Sequence, residues 1–443
     1  MRSKLYVLIS IVLTINICLG LSSAKQNSNY VEGKILWEKT YGGKGDDRAF
    51  HAARLGDGFA VVGSSTSLID GKTTAWIIRI DAEGSMVWNR TYAESSNGEF
   101  RHVCCLLDGF LLVGNLFSLS RNWDGYIVRT DIEGKPIWNI TVGGENVDKL
   151  FSAIELPDGF VLVGLTASFG NGGSDVWVIK LVEDGSIVWN KTYGWQMDDA
   201  ARSVAPAGDG GFIVAGYTNS TGQGDYDFLA LKLNSEGEML WNETYGGSQS
   251  EKAYAITAVQ SGYVIAGDTR SKGEGDSDAW VIKIDAYGNL LWEMSTGGAD
   301  FDQPTCITPS AYGGLLVGGF TFSFGNGERD FWLFKVNDEG NVLWSSTIGR
   351  TKFEEAYAVV EVTETEFVMV GWTNSIGAGH YDFYIAKLCV QNNNGNDWLH
   401  EYAITLLAVI VICVLLAGIF FFRIQRSKKQ TVRLRQNLTQ PIC

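Results

Sequence analysis

Seven tryptophans stand almost equally spaced along the chain: Trp37, Trp88, Trp138, Trp189, Trp241, Trp292 and Trp344, separated by 51, 50, 51, 52, 51 and 52 residues. A period that regular marks a repeat architecture, in which each unit buries its apolar surface against its neighbours. The unit around each tryptophan is a hairpin. Its clearest copy runs from Asp278 through Trp280 and Lys283 to Asp285, turns at Gly288 and returns through Leu290, Leu291 and Trp292. A Gly-x-x-x-Ser step accompanies it in every copy, from Gly63/Ser67 to Gly371/Ser375.

Between successive tryptophans there is room for four short strands, the content of a propeller blade. In the first blade the pattern places strand a at Arg48 to Leu55, b at Phe59 to Ser64, c at Ala75 to Ile80 and d at Met86 to Tyr92. Asp57-Gly58 and Asp158-Gly159 supply a-to-b turns, and glycines such as Gly84, Gly237 and Gly340 supply c-to-d turns. Continuous apolar runs such as Phe160 to Val163 read as strands buried on both faces. At the start, Ile35 to Tyr41 is a tryptophan strand with no half-unit before it, and the last unit stops after Leu388 with no tryptophan strand to follow. The first strand is the missing piece of the last unit. The expectation is an all-β, seven-bladed β-propeller over residues 31–390, closed by an N-terminal strand that completes the last blade.

The flanks carry an address. Residues 1–24 have Arg2 and Lys4 ahead of an apolar run and end on Ser22, Ser23 and Ala24, the layout of a secretory signal. Residues 391–402 form a polar linker, and residues 403–422 are free of charge. As a transmembrane helix, that run is long enough to cross roughly 30 Å of hydrocarbon. The tail, residues 423–443, is basic from Arg423 to Arg435. The positive-inside rule then makes this a single-pass cell-membrane protein with an extracellular ectodomain and a cytoplasmic tail. The formal charge of −15 includes the cations of both flanks, so the repeat region is more acidic still, which disfavours nucleic acid as a partner. The cysteines outside the flanks, Cys104, Cys105, Cys306 and Cys389, do not recur with the repeat and imply no disulfide framework.

Strands that alternate in direction put the a-to-b and c-to-d turns on one face and the longer d-to-a and b-to-c connections on the other. Function is expected on the long-loop face. Carboxylates recur there: Asp46 and Asp47, Glu99, Asp148, Asp198 and Asp199, Glu251, Asp302, Glu354 and Glu355. Two readings stand side by side. Asp46, Asp148, Asp198, Glu251, Asp302 and Glu354 could ring the channel mouth as oxygen ligands for calcium, or each acid could accept backbone N–H bonds within its own blade.

A second acid opens strand c in six units (Asp124, Asp175, Asp227, Asp278, Asp330, Asp382), with Thr74 in the first, and a basic residue follows five positions on in all seven. That odd spacing sends the two to opposite faces, so the basic residue is expected to pair with an adjacent strand or blade. Trp123, Phe169, Trp195, Phe322 and Phe324 fall in or beside the long loops, where they could stack on a sugar, anchor a protein or pin the loops down. The four histidines, His51, His102, His380 and His400, show no metal-ligand spacing.

The copies Trp-Asn-x-Thr-Tyr-Gly-Gly at 241 to 247, Gly-Phe-Val-Leu-Val-Gly at 159 to 164 and Asp-x-Trp-x-x-Lys at 278 to 283 resemble secreted β-propeller repeats of prokaryotic surface proteins, which are grouped with kelch-like and quinoprotein-like (PQQ-like) propellers. The resemblance covers Ile35 to Val390 and implies the fold rather than one activity. A kelch-type glycine doublet occurs only at Gly318-Gly319, and no quinone-binding constellation accompanies the repeats. The expected function is non-catalytic binding of a surface glycan or protein, in adhesion, sensing or envelope organisation. A polysaccharide hydrolase or lyase is the alternative, and a quinone-dependent dehydrogenase ranks third.

Overall fold

A computed structural model of the chain describes residues 29–69, 72–93, 96–118 and 122–391. The expected signal, membrane segment and tail, and all of the expected linker but Gln391, lie outside the described residues. Within them the chain forms seven four-stranded antiparallel sheets. Blade 1 is strand a Asp47–Leu55, b Gly58–Ile69, c Lys72–Ile80 and d Met86–Tyr92. Blade 7 takes a, b and c from Glu354–Glu361, Glu366–Thr373 and Asp382–Cys389, and its strand d is Lys34–Tyr41. Tyr41 pairs with Phe383 and Thr40 with Tyr384, so the ring closes on the N-terminal strand as the split repeat requires. Strands b and c of the first two blades run further than the pattern predicts, because their hairpins stay paired out to Ile69 with Lys72 and Ser118 with Asn122.

The core lies between blades. One cluster joins Phe59, Val61 and Trp76 of blade 1 to Val368, Phe383 and Ile385 of blade 7, and equivalent clusters fill the other junctions. The strand c aromatics Trp177, Trp280, Trp332 and Tyr384 are among the largest fully buried side chains, as inter-blade packing demands.

The periodic tryptophan of strand d does a different job: it latches onto the next blade. The Trp241 indole N–H donates to the Ala286 carbonyl at 3.1 Å, and the Tyr245 hydroxyl donates to Gly288 at 2.6 Å. Both acceptors lie in the c-to-d turn of the following blade. At the closing junction Trp37 donates to Ala82 at 3.1 Å, and Tyr41 donates to Gly84. Gly84 has φ +77°, and a Cβ there would fall 2.9 Å from the Trp37 ring, so backbone conformation and ring contact both demand glycine. The period read from the sequence is therefore the period of a blade-to-blade contact, hydrogen-bonded through the indole N–H at Trp37, Trp138, Trp241 and Trp292 and through the tyrosine alone at Tyr92 and Tyr193.

Trp344 departs from this pattern. It is only 5% exposed, because residues 29–31 lie along its strand, with Val31 N–H donating to the Ser345 carbonyl and Ser345 N–H donating to Asn29. Three of the basic residues of strand c pair with an acid in the a-to-b turn of their own blade. Lys180 pairs with Asp158 at 2.5 Å, Lys232 with Asp209 at 2.8 Å, and Arg129 with Asp108. Cys104, Cys105, Cys306 and Cys389 are free thiols.

Candidate binding site in the central channel

The recurring carboxylates occupy two neighbouring positions with different fates. The residue ten after the tryptophan (Asp47, Asp148, Asp199, Glu251, Asp302, Glu354) opens strand a and is buried. Asp302 shows why. Its Oδ2 accepts the Gly298 N–H and the Ser323 hydroxyl, each at 2.7 Å, and its Oδ1 accepts the Thr321 hydroxyl. Ser323 belongs to the Gly-x-x-x-Ser step, so the two repeated motifs are one hydrogen-bonded knot holding the d-to-a loop to strand b. Glu251 repeats it through Gly247 and Thr269, and Asp199 through Trp195 and Ser220.

Asp46 and Asp198 stand one residue earlier. Asp46 lies 3.9 Å from Arg48, and Asp198 accepts the Ser174 N–H at 2.9 Å. In blade 2 the buried position is Gly98, and Glu99 belongs to the channel wall.

Among the described residues no three His, Cys, Asp or Glu side chains are grouped as metal ligands, Asp46, Asp148, Asp198, Glu251, Asp302 and Glu354 included. The acid that opens strand c is the neighbour of the buried acid, but the space between them is taken. A methyl on Gly297 would fall 1.9 Å from Oδ1 of Asp278 and 2.8 Å from Oδ2 of Asp302, so the glycine backbone fills the gap.

The five candidate aromatics also divide. Trp123 lines a cavity of about 660 Å³ at the long-loop mouth of the channel, with the Lys149 ammonium 4.8 Å above its ring. Phe322 stacks on Arg329, which lines the same cavity. Phe169 is 45% exposed on its loop. Trp195 and Phe324 instead pack onto inter-blade core, Phe324 against Trp332 at 6.1 Å, and pin their loops.

The residues that shape the channel were not singled out by the sequence reading. Every strand a carries a one-residue β-bulge, which re-aims the extra side chain. The seven bulged residues are Phe50, Arg101, Phe151, Arg202, Tyr254, Thr305 and Tyr357. All of them border a second cavity, of about 450 Å³, at the waist of the channel. Each follows its tryptophan by 13 residues, a regularity visible in the sequence but hidden by the change of residue type.

Cations and aromatic rings alternate around this wall. The Arg101 guanidinium lies 3.9 Å from the Phe50 ring, and that of Arg202 lies 4.3 Å from Phe151 and 5.6 Å from Tyr254. At the mouth Arg48 faces Tyr381 at 4.3 Å and Trp372 at 5.3 Å. Such stacking holds a guanidinium in one plane while leaving its edge free to donate.

The carboxylates of the mouth are each engaged by an arginine. Glu99 accepts two bonds from Arg101, at 2.8 and 3.1 Å, and Glu355 pairs with Arg329 and accepts the Tyr357 hydroxyl. Burial pushes the Glu99 carboxyl up, but the charge and hydrogen bonds of Arg101, with Lys149 and Asn115, outweigh it and hold the group below the usual range. Glu99 is thus ionised at neutral pH, which excludes it from a glycosidase's acid role but not from the nucleophile or base role. His51 and His102 stack at 4.0 Å beside the waist. Burial lowers His51 to about 4 and puts His102 well below its ordinary value, so neither adds charge at neutral pH.

No known protein-family model matches the chain. The regulatory protein FlaEY of Caulobacter vibrioides is 24% identical over 159 residues, 30% of this chain, and the match spans only 17% of that relative's length. Among solved structures, Sqt1 from Chaetomium thermophilum superposes with a TM-score of 0.45 at 13% identity, over 77% of this chain and 82% of its own. The periplasmic gluconolactonase PpgL of Pseudomonas aeruginosa gives 0.45 at 12% identity, over 75% and 96%. The β-propeller domain of the trilobed protease of Pyrococcus furiosus gives 0.42 at 12% identity, over 78% and 96%.

Proposed function

We propose that this chain is a membrane-anchored extracellular binding module that takes a surface glycan or protein at the long-loop mouth of its propeller and does no chemistry on it. The carrying observation is the lining of the mouth cavity: Trp123 and Tyr381 line it with half-buried rings, Arg48 and Arg329 bring guanidinium groups, and the carboxylates Glu99 and Glu355 are taken up by arginines. Rings and guanidinium groups are the residue types that dominate binding energy at recognition sites. The extracellular side follows from the secretory signal, the apolar run at 403–422 and the basic tail.

Binding of the full chain in detergent micelles to neutral and acidic polysaccharides and to intact microbial cells tests this reading. Saturable binding that Trp123→Ala weakens, with the melting temperature retained, is the expected result. Binding indifferent to Trp123 would move the site elsewhere. A polysaccharide hydrolase or lyase is the second reading, because Glu99 and Glu355 do line the mouth. Shortened saccharides in the same incubations would favour it.

A further inference from the structure

We infer that the waist of the channel binds the carboxylate of a short acidic saccharide, with Arg202 as its principal partner. This rests on the binding reading above and adds the class of ligand.

Charge is the first argument. Arg101 is matched by Glu99, and at the mouth Arg48 and Arg329 are matched by Asp46 and Glu355. Arg202 has no carboxylate within ion-pair distance among the described residues. The protein as a whole is acidic, with a formal charge of −15, so a cation left unmatched in the channel is not the overflow of a basic surface. A buried-walled cation without a counter-ion is a site prepared for an external anion.

Geometry narrows the class. Arg202 is a bulged residue sandwiched by Phe151 and Tyr254, which keeps its fork oriented before any ligand arrives. Ser203 and Gln303 bring neutral polar side chains to the same wall. Guanidinium for a carboxylate, ring faces for C–H surfaces and neutral polar groups for sugar hydroxyls together describe a uronic-acid-type sugar. The cavity of about 450 Å³ falls in the size range of small-ligand pockets. The acidity of the surrounding protein opposes a long polyanion, so the ligand is short.

The test is calorimetric titration of the full chain in micelles with trigalacturonate, with neutral galactotriose and with hexaglutamate, on the parent, Arg202→Gln and Arg202→Lys. The expected result is saturable binding of trigalacturonate, weakened about tenfold or more by Arg202→Gln and less by Arg202→Lys, which keeps the charge but loses the fork. Galactotriose is expected to bind at least about tenfold more weakly than trigalacturonate. If Arg202→Gln fails to fold, the lysine variant decides, since its affinity must then fall. Galactotriose binding as tightly as trigalacturonate, tighter binding of hexaglutamate, or trigalacturonate affinity unmoved by folded Arg202 variants would each overturn the inference. Absence of trigalacturonate binding also overturns it. If the polysaccharide and cell panel still shows Trp123-dependent binding, the binding-module reading survives that failure, and if that panel is empty too, both fall.

Discussion

Asp278 and Asp302 belong to neighbouring blades, yet their carboxylates close on the two sides of the same glycine, Gly297. The arrangement recurs at Gly42, Gly143, Gly194 and Gly246, and Asp330 likewise feels the charge of Glu354. Only the junction between blades 1 and 2 differs, and it loses both partners together: Thr74 replaces the strand c acid, Gly98 the strand a acid, and Ala93 the glycine. Acids that disappear as a pair act as a pair.

Paired buried acids give stability a pH dependence of definite sign. Burial, with the charges of Asp302 and Glu274 adding to it, raises Asp278 to about 6, and burial with Glu354 raises Asp330 to about 6. A carboxyl whose folded pKa lies above its unfolded value binds its proton more tightly in the native state. Its contribution is therefore present at low pH and lost as pH rises through the folded pKa. Thermal melts should show the midpoint falling between about pH 4 and pH 6 and levelling above. Asp278→Asn should flatten that slope and stabilise the protein at pH 7 by about 1 kcal/mol.

The aspartate of the opposite face, Asp158, titrates the other way. The hydrogen bond and charge of Lys180 hold Asp158 below the usual carboxylate range, so this pair's contribution is present above about pH 4 and lost as pH falls. Lys180 is 3% exposed and Asp158 is 72% exposed, and water at the exposed carboxylate keeps the interaction modest. Asp158→Asn should cost about 1 kcal/mol in urea unfolding, well short of the several lost when a fully buried pair is broken.

The tryptophan latch predicts a larger effect. Trp241→Phe removes the bond to Ala286 and part of the ring packed on the next turn, and should cost about 1–2 kcal/mol. Gly84→Ala places a Cβ 2.9 Å from the Trp37 ring at φ +77° and should cost about 2 kcal/mol or more, loosening the closing junction. Chemical denaturation of both variants checks the order.

Ring closure makes its own prediction. Removing the chain up to Tyr41 leaves strand c of blade 7 without its strand d and uncovers Trp344. The truncated protein should lose its single cooperative transition or associate through the bare edge. A melt that stays cooperative and monomeric would show the N-terminal strand to be dispensable.

The fold was legible because the latch repeats: the same tryptophan and turn glycine reappear from blade to blade to hold the next one, with a terminal tyrosine in four of the seven, Tyr41, Tyr92, Tyr193 and Tyr245. Strand d of blade 1 runs Met86–Tyr92, as read from the pattern. The site was less legible for two physical reasons. Adjacent residues on a strand point to opposite sides, and sequence alone did not say which of Asp46 and Asp47 turned inward. The bulge then shifts the alternation by one, sending Phe50, Arg101 and Arg202 into the channel. Repeat averaging finds what blades share, whereas a ligand is recognised by what differs among them.

The central claim, that the channel mouth binds without chemistry, is tested most directly by recovering a saccharide captured by the full chain and measuring its chain length. The account predicts a ligand released intact after prolonged incubation, with capture reduced by Trp123→Ala. Recovery of shortened saccharide, with cleavage abolished by Glu99→Gln or Glu355→Gln, would contradict it and make the propeller an enzyme.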